Sequence, residues 1–236
     1  MKRQIRIINN LLIKKFGAPV KNKIPPDAVD LLIATILSQN TNDRNSFKAY
    51  NNLKQKYSSW EKVSELKALQ IEKLIRIAGL GKQKSRSIKN LLMSLIKERG
   101  KVSLNHLKKM NNEEILSELT DYSGIGVKTA SCVLLFSLMR NVCPVDTHVH
   151  RTLNRIGLVK TSSPDKTFFA INKNLPDKIA HSFHTNLIRL GREVCKPAKP
   201  ACGSCPVINV CCYEYKIISG KENLYKENSF MLLDNV

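Results

Sequence analysis

Three glycines, Gly79, Gly100 and Gly124, each close a stretch whose apolar residues recur at helical spacing: IEKLIRIA, SRSIKNLLMSLIKER and EEILSELTDY. Glycine tolerates the left-handed backbone that ends a helix, so each stop reads as a turn between helices. A further helix is expected after Pro25 and Pro26, capped by Asp27, with Val29, Leu32, Ile33 and Ile36 on one face. Another starts at Asp146 with Val149, Leu153 and Ile156 in phase, and HSFHTNLIRLGREVC supplies a late one. No stretch alternates as a strand does. The fold class is therefore all-α, with short connections.

Charge narrows the partner. Lysine and arginine exceed aspartate and glutamate by 39 to 19, and the last 24 residues hold three bases against four acids, so the excess of +20 sits in the folded body. A body of that charge attracts polyanions, and nucleic acid is the first reading; a basic protein from a lysine-rich proteome is the plain alternative. The longest apolar run, around VLLFSLM, is too short to cross a bilayer, and MKRQIRIINNLLIKKF lacks a signal-peptide core and cleavage site. An intracellular protein is expected, in the cytoplasm or nucleoid, with no membrane partner.

The third glycine opens GIGVKTASCVLLFSLM, where Gly124 and Gly126 bracket a turn before an almost wholly apolar helix. Helix, Gly-x-Gly turn, helix is the layout of a helix-hairpin-helix, whose glycines let backbone amides approach a phosphate; glycine helix caps give the same spacing. Lys128 falls in the first turn of the second helix, where the positive end of the helix dipole favours the neutral amine. GLGKQKS at 79 is a weaker echo of this turn. Eighteen residues after Lys128, Asp146 in VDTH suits a helix N-cap, and its second oxygen could face a cleft to handle protons near a lysine amine.

Near the C-terminus CKPAKPACGSCPVINVC sets Cys195, Cys202, Cys205 and Cys211 at C-x6-C-x2-C-x5-C. Four clustered thiols in an intracellular chain indicate a metal site. Zinc is the general expectation for four cysteines, yet a single short clip flanked by longer arms suits a cubane iron–sulfur cluster at least as well. Cys132 and Cys143 fit a core, and Cys212, beside a ligand, is the one alternative register. Lys196 and Lys199 lie in the first cysteine loop, as phosphate contacts or as solvated surface charge.

Taken in order, GIGVKTA, VDTH and the cysteine run resemble endonuclease III, the iron–sulfur branch of the helix-hairpin-helix DNA glycosylases, over residues 1 to 212. The resemblance implies two α-helical lobes: a six-helix barrel over 26–140, and a lobe of 1–25 with 141–212 holding a 4Fe-4S cluster on Cys195, Cys202, Cys205 and Cys211. Residues 213–236 form a C-terminal tail. Lys128 matches the family's nucleophilic lysine, Asp146 its catalytic aspartate, and Leu80 the leucine that enters the base stack. In ILSQNTND, Asn40 stands at the usual glutamine position with Gln39 beside it, and either could wedge the strand. Gly124, Gly126, Lys196 and Lys199 complete the implied DNA contacts. Tyr122 and Ser123 replace the usual Leu-Pro before the hairpin.

The implied activity is bifunctional. Adenine-mismatch relatives generally carry serine at the position of Lys128, and thymine-mismatch relatives tyrosine; lysine implies base removal through a Schiff base followed by strand nicking. The implied partner is double-stranded DNA bearing damaged bases, oxidised pyrimidines above all, or abasic sites, bound by a monomer. Two other readings remain: a mismatch-specific glycosylase, and a non-catalytic iron–sulfur DNA-binding or redox-responsive protein, which leaves Lys128 with Asp146 without a purpose. A zinc hydrolase built on His148, His150, His181 and His184 is weaker, since these lie on helical stretches where packing accounts for them.

Overall fold

The computed structural model describes residues 1–21 and 23–218, so most of the tail expected from Tyr213 onward lies outside the described residues. Among the described residues every regular element is helical, as the all-α reading requires. No described helix is long and apolar enough to cross a membrane. The described residues divide into two compact units, one formed by Met1–Lys21 with the described residues from Asn141, the other by those that run up to Arg140.

In the unit ending at Arg140, α2 (Ala28–Ser38) forms the core. Asp27 caps it, Oδ1 accepting from the amide of Val29 at 2.8 Å. The sequence suggested one apolar face, but Leu31, Ala34 and Leu37 are as fully buried as Leu32, Ile33 and Ile36. A helix apolar all round belongs inside, and the elements α3 (Asp43–Lys56), α6 (Gly81–Arg99) and α8 (Val127–Cys132) pack around it. Two shorter helices, α4 (Trp60–Glu65) and α5 (Ala68–Ile75), lean on α6. A carboxylate knot fixes the near side of α2: Asp30 Oδ1 accepts from Tyr50 Oη at 2.9 Å, Trp60 Nε1 at 2.7 Å and Lys54 Nζ at 3.0 Å.

The glycine stops fall where expected, with one difference. Gly79 follows a short 3-10 turn (Arg76–Ala78) after α5, and Gly100 ends α6 in the left-handed region at φ 70°. Before the third glycine, α7 (Asn112–Asp121) ends early, because Tyr122 is already extended and its side chain is buried, its hydroxyl donating to Glu98 at 2.9 Å. After α8 the chain adds a π-helical turn, Val133–Ser137.

In the other unit, α1 (Lys2–Phe16) lays Ile5, Ile8 and Leu12 against α11 (Ala180–Arg189). Arg189 donates to the carbonyl of Phe16 at 2.7 Å, answering the free C-terminal carbonyls of α1. Between these in sequence run α9 (Thr147–Ile156) and α10 (Pro164–Asn172), which pack on each other. A π-helical turn, Leu190–Val194, leads from α11 into the cysteine loop.

Candidate functional site

The turn at 124–126 is built by its two glycines in different ways. Gly124 has φ 87°, a left-handed conformation, and a Cβ there would lie 2.4 Å from Ser87 Oγ on α6. The helix wall behind the turn therefore demands glycine. Gly126 is the N-cap of α8 with φ −99°, and a Cβ there would meet nothing within 4 Å. Nothing in this unit requires glycine at 126, and the backbone there faces open space. Ile125, 4% exposed, pins the turn from within.

Lys128 is the second residue of α8. It is partly exposed, while Thr129, Ala130, Ser131 and Cys132 behind it are buried. Among the described residues its ammonium has no hydrogen-bond or ion-pair partner. A lysine at the edge of a buried helix with its amine unengaged is available to react.

The echo at 79–81 lines the same side of this unit. Leu80 is 49% exposed and takes φ 49°, a conformation that costs a leucine about 1–2 kcal/mol. It borders a broad open groove that also takes in Glu72, Lys82, Arg86, Ser87, Ser123 and Gly124, so both glycine turns open on one groove. Gln39 ends α2 and donates from Nε2 to the carbonyl of Gly124 at 3.3 Å, whereas Asn40 is exposed with φ 50°. The two neighbours are thus separated: Gln39 braces the turn and Asn40 is presented outward. Lys84, in the echo, is 1% exposed and its amine donates to the carbonyls of Leu37 and Ala78, both at 2.8 Å. Burial pushes its pKa down to about 8.

Asp146 belongs to the other unit. It is the N-cap of α9, Oδ1 accepting from the amide of Val149 at 2.8 Å, and it is partly exposed. Further along α9, Arg151 donates to the carbonyls of Cys195 and Gly191, both at 2.9 Å. Arg155 donates to those of Lys196 at 2.7 Å and Pro197 at 2.8 Å and stacks 4.4 Å from the Tyr213 ring centre. The helix capped by Asp146 is therefore also the element that fastens the cysteine loop. Close approach is possible because position 191 is glycine: a Cβ there would lie 2.7 Å from that of His148.

Cys195, Cys202, Cys205 and Cys211 line one recess, with Leu190, Val194 and Val207 in its wall. None is in a disulfide. Burial first, and then the neighbouring Cys195, Cys211 and Cys202, push the Cys205 thiol up to about 12. No group of three or more His, Cys, Asp or Glu side chains among the described residues is arranged to hold a metal ion. Cys212 is exposed and lies outside the recess, its Sγ set against Gly157. In the first loop Lys196 is partly exposed, and Lys199 is exposed at φ 51°.

The histidines serve packing. His184 is fully buried with Nδ1 2.9 Å from the Pro144 carbonyl, and Nδ1 of His150 lies 2.7 Å from Thr167 Oγ1. Burial lowers the pKa of both His148 and His181. Sequence reasoning passed over Ser87, Arg151 and Arg155. The arginines had a signal, an i, i+4 pair on the helix opened by Asp146, but exposed charge has the same pattern. Ser87 had none.

Comparison with known proteins agrees with this geometry. Residues 33–177 match the family model for the HhH-GPD superfamily base excision DNA repair protein. Endonuclease III of Thermotoga maritima is 32% identical over 200 residues, covering 85% of this chain and 88% of that one. A candidate DNA glycosylase of Arabidopsis thaliana is 38% identical over 172 residues; the match covers 72% of this chain and spans only 58% of the plant protein. Among solved structures, a non-covalent endonuclease III–DNA complex superposes with a TM-score of 0.75 at 27% identity, over 90% of this chain and 95% of that one. A trapped endonuclease III–DNA covalent intermediate gives 0.74 at 27% identity, over 90% and 96%.

Proposed function

The chain belongs to the HhH-GPD superfamily of base excision DNA repair proteins, and from that premise we propose that it is a bifunctional DNA glycosylase and abasic-site lyase acting on oxidised pyrimidines in duplex DNA. The observation that carries the reading is Lys128: a lysine one residue into the helix after a Gly-x-Gly turn, partly exposed, its amine unengaged among the described residues.

A base in a duplex must leave the stack before its glycosidic bond can be reached, at a cost of a few kcal/mol that damage or mispairing reduces. Leu80 and Asn40, both exposed, would fill the space it vacates. Backbone amides about Gly126 would hold a phosphate beside it. The Lys128 amine would then attack C1' of the sugar as the glycosidic electron pair departs with the base, and Asp146 would take the amine's proton and oppose the positive charge on the sugar. Opening of the sugar ring gives the imine. Loss of a C2' proton then expels the 3' phosphate, nicking the strand.

In this reading residues 26–140 form the barrel lobe, 1–25 and 141–212 the cluster lobe, and the protein acts as a monomer. The fit of a 4Fe-4S cluster rests on the donor set: four cysteine thiols around one recess with an apolar wall. When bound, it would hold the loop of Lys196 and Lys199 rigid. Those lysines could then meet the DNA backbone without a large ordering cost.

Duplexes each carrying one lesion, either thymine glycol, uracil, 8-oxoguanine opposite cytosine or an adenine–guanine mismatch, test the proposal under single-turnover conditions. Free base and strand breaks are scored separately. Base release with concurrent nicking on thymine glycol is expected. Release without nicking would make the protein a monofunctional glycosylase, and binding without release a non-catalytic DNA-binding protein.

A further inference from the structure

Lys84 is a buried cation that the chemistry above does not use. It sits in the first turns of α6, and its amine reaches two carbonyls that helix ends leave open: Leu37 near the C-terminus of α2 and Ala78 at the end of the 3-10 turn. Bonds from a charged donor are short and strong, and α2 turns the negative end of its dipole toward this one. Both carbonyls lead into the same backbone feature. Three residues after Leu37 stands Asn40 at φ 50°, and two residues after Ala78 stands Leu80 at φ 49°; both are exposed. Non-glycine residues hold the left-handed conformation only where their surroundings enforce it.

A buried amine whose two partners are these carbonyls, each a short step from an exposed left-handed residue, is more than a filler. Two residues after Leu37, Gln39 also reaches across to the Gly124 carbonyl, which ties the loop at 38–40 to the hairpin turn. We propose that Lys84 is a positioning residue that holds the Asn40 and Leu80 loops in fixed register, so that the two side chains enter duplex DNA together when a nucleotide is extruded. This rests on the DNA glycosylase reading above. Lys84 itself touches no DNA.

The test separates entry into the duplex from chemistry. Single-turnover excision of thymine glycol is measured with the lesion paired to adenine and with the lesion in a one-nucleotide bulge, where less unstacking is required. Lys84→Met keeps the side-chain stem and removes the donor; Lys84→Gln keeps a donor and is the milder change. For Lys84→Met the ratio of paired to bulged rates should fall at least tenfold relative to wild type, with Lys84→Gln between them. An unchanged ratio, or equal losses on both substrates, overturns the proposal, since a merely structural lysine would lower both alike. Leu80→Ala removes an exposed side chain and provides the test if the Lys84 variants do not fold: it should lower the same ratio, and an unchanged ratio there also overturns the proposal. Wild-type protein that excises thymine glycol from neither duplex would instead refute the oxidised-pyrimidine reading on which the proposal rests.

Discussion

Two glycines two residues apart should respond to substitution in opposite ways. At Gly124 any side chain meets both a left-handed backbone, φ 87°, and Ser87 Oγ at 2.4 Å. Gly124→Ala should cost about 1–2 kcal/mol for the backbone and about 1 kcal/mol more for the displaced helix wall, lowering the melting temperature by roughly 5–10 °C. Ser87→Ala, which removes the hydroxyl, should recover part of that loss. At Gly126 the backbone is extended and a Cβ has open space, so Gly126→Val should change stability by about 1 kcal/mol or less. Yet if a phosphate approaches those amides, the valine side chain occupies its place. One hydrogen bond to a charged group is worth about 1.5–3 kcal/mol, so affinity for undamaged duplex should fall roughly ten- to hundredfold. Loss of one phosphate contact should also make the slope of log K against log salt shallower by about 1. Thermal melts followed by helicity, and fluorescence anisotropy titrations at several salt concentrations, read both quantities. A folded Gly126→Val protein that binds with the wild-type affinity and salt slope would show that the turn is only a junction between helices.

Asp146→Asn should preserve the cap of α9, since asparagine accepts the Val149 amide equally well, and leave the melt within about 0.5 kcal/mol of wild type while abolishing excision; Asp146→Ala should lose about 1 kcal/mol as well. An active Asp146→Asn enzyme would remove the carboxylate from the mechanism. The amine of Lys84 has a folded pKa near 8 against the ordinary 10.5, so between those values the unfolded chain binds more protons and stability rises with pH. Relative to Lys84→Met, wild type should therefore gain roughly 2 kcal/mol between about pH 7 and 9.5 in denaturant titrations, and a flat or falling difference would contradict the burial of a charged lysine. Anaerobically prepared protein should hold about four iron and four sulfide per chain with absorbance near roughly 400 nm, lost in Cys205→Ser and kept in Cys212→Ser; stoichiometric zinc without sulfide would exclude the cluster.

Much of this was legible because strong local chemistry marked it. Gly79 and Gly100 end helical segments in the left-handed region, and Asp27 and Asp146 cap helices, because glycine conformation and carboxylate capping act within a few residues. Where burial decides, the sequence was quieter. The helix α3 escaped notice because its buried face is Ser46, Ala49, Tyr50 and Leu53, too polar and too small to stand out from DRNSFKAYNNLKQK. The end of α7 was read late because only tertiary contact with Glu98 pulls Tyr122 out of the helix. The role of Gln39 could not be read either, since its partner lies 85 residues away. Nothing in GLGKQKS marks Lys84 for burial, yet it is among the most buried side chains of the described residues.

The central claim is that Lys128 is the nucleophile, and the most direct measurement is the site of covalent capture. Wild-type protein is incubated with a thymine-glycol duplex and borohydride, and the adduct is digested and mapped by mass spectrometry. The account predicts a single DNA-modified lysine, Lys128, with no adduct from Lys128→Ala protein of unchanged helicity. Lys84, at 1% exposure, should stay unmodified. Capture of equal yield in Lys128→Ala, or an adduct mapped to any other lysine, would contradict it.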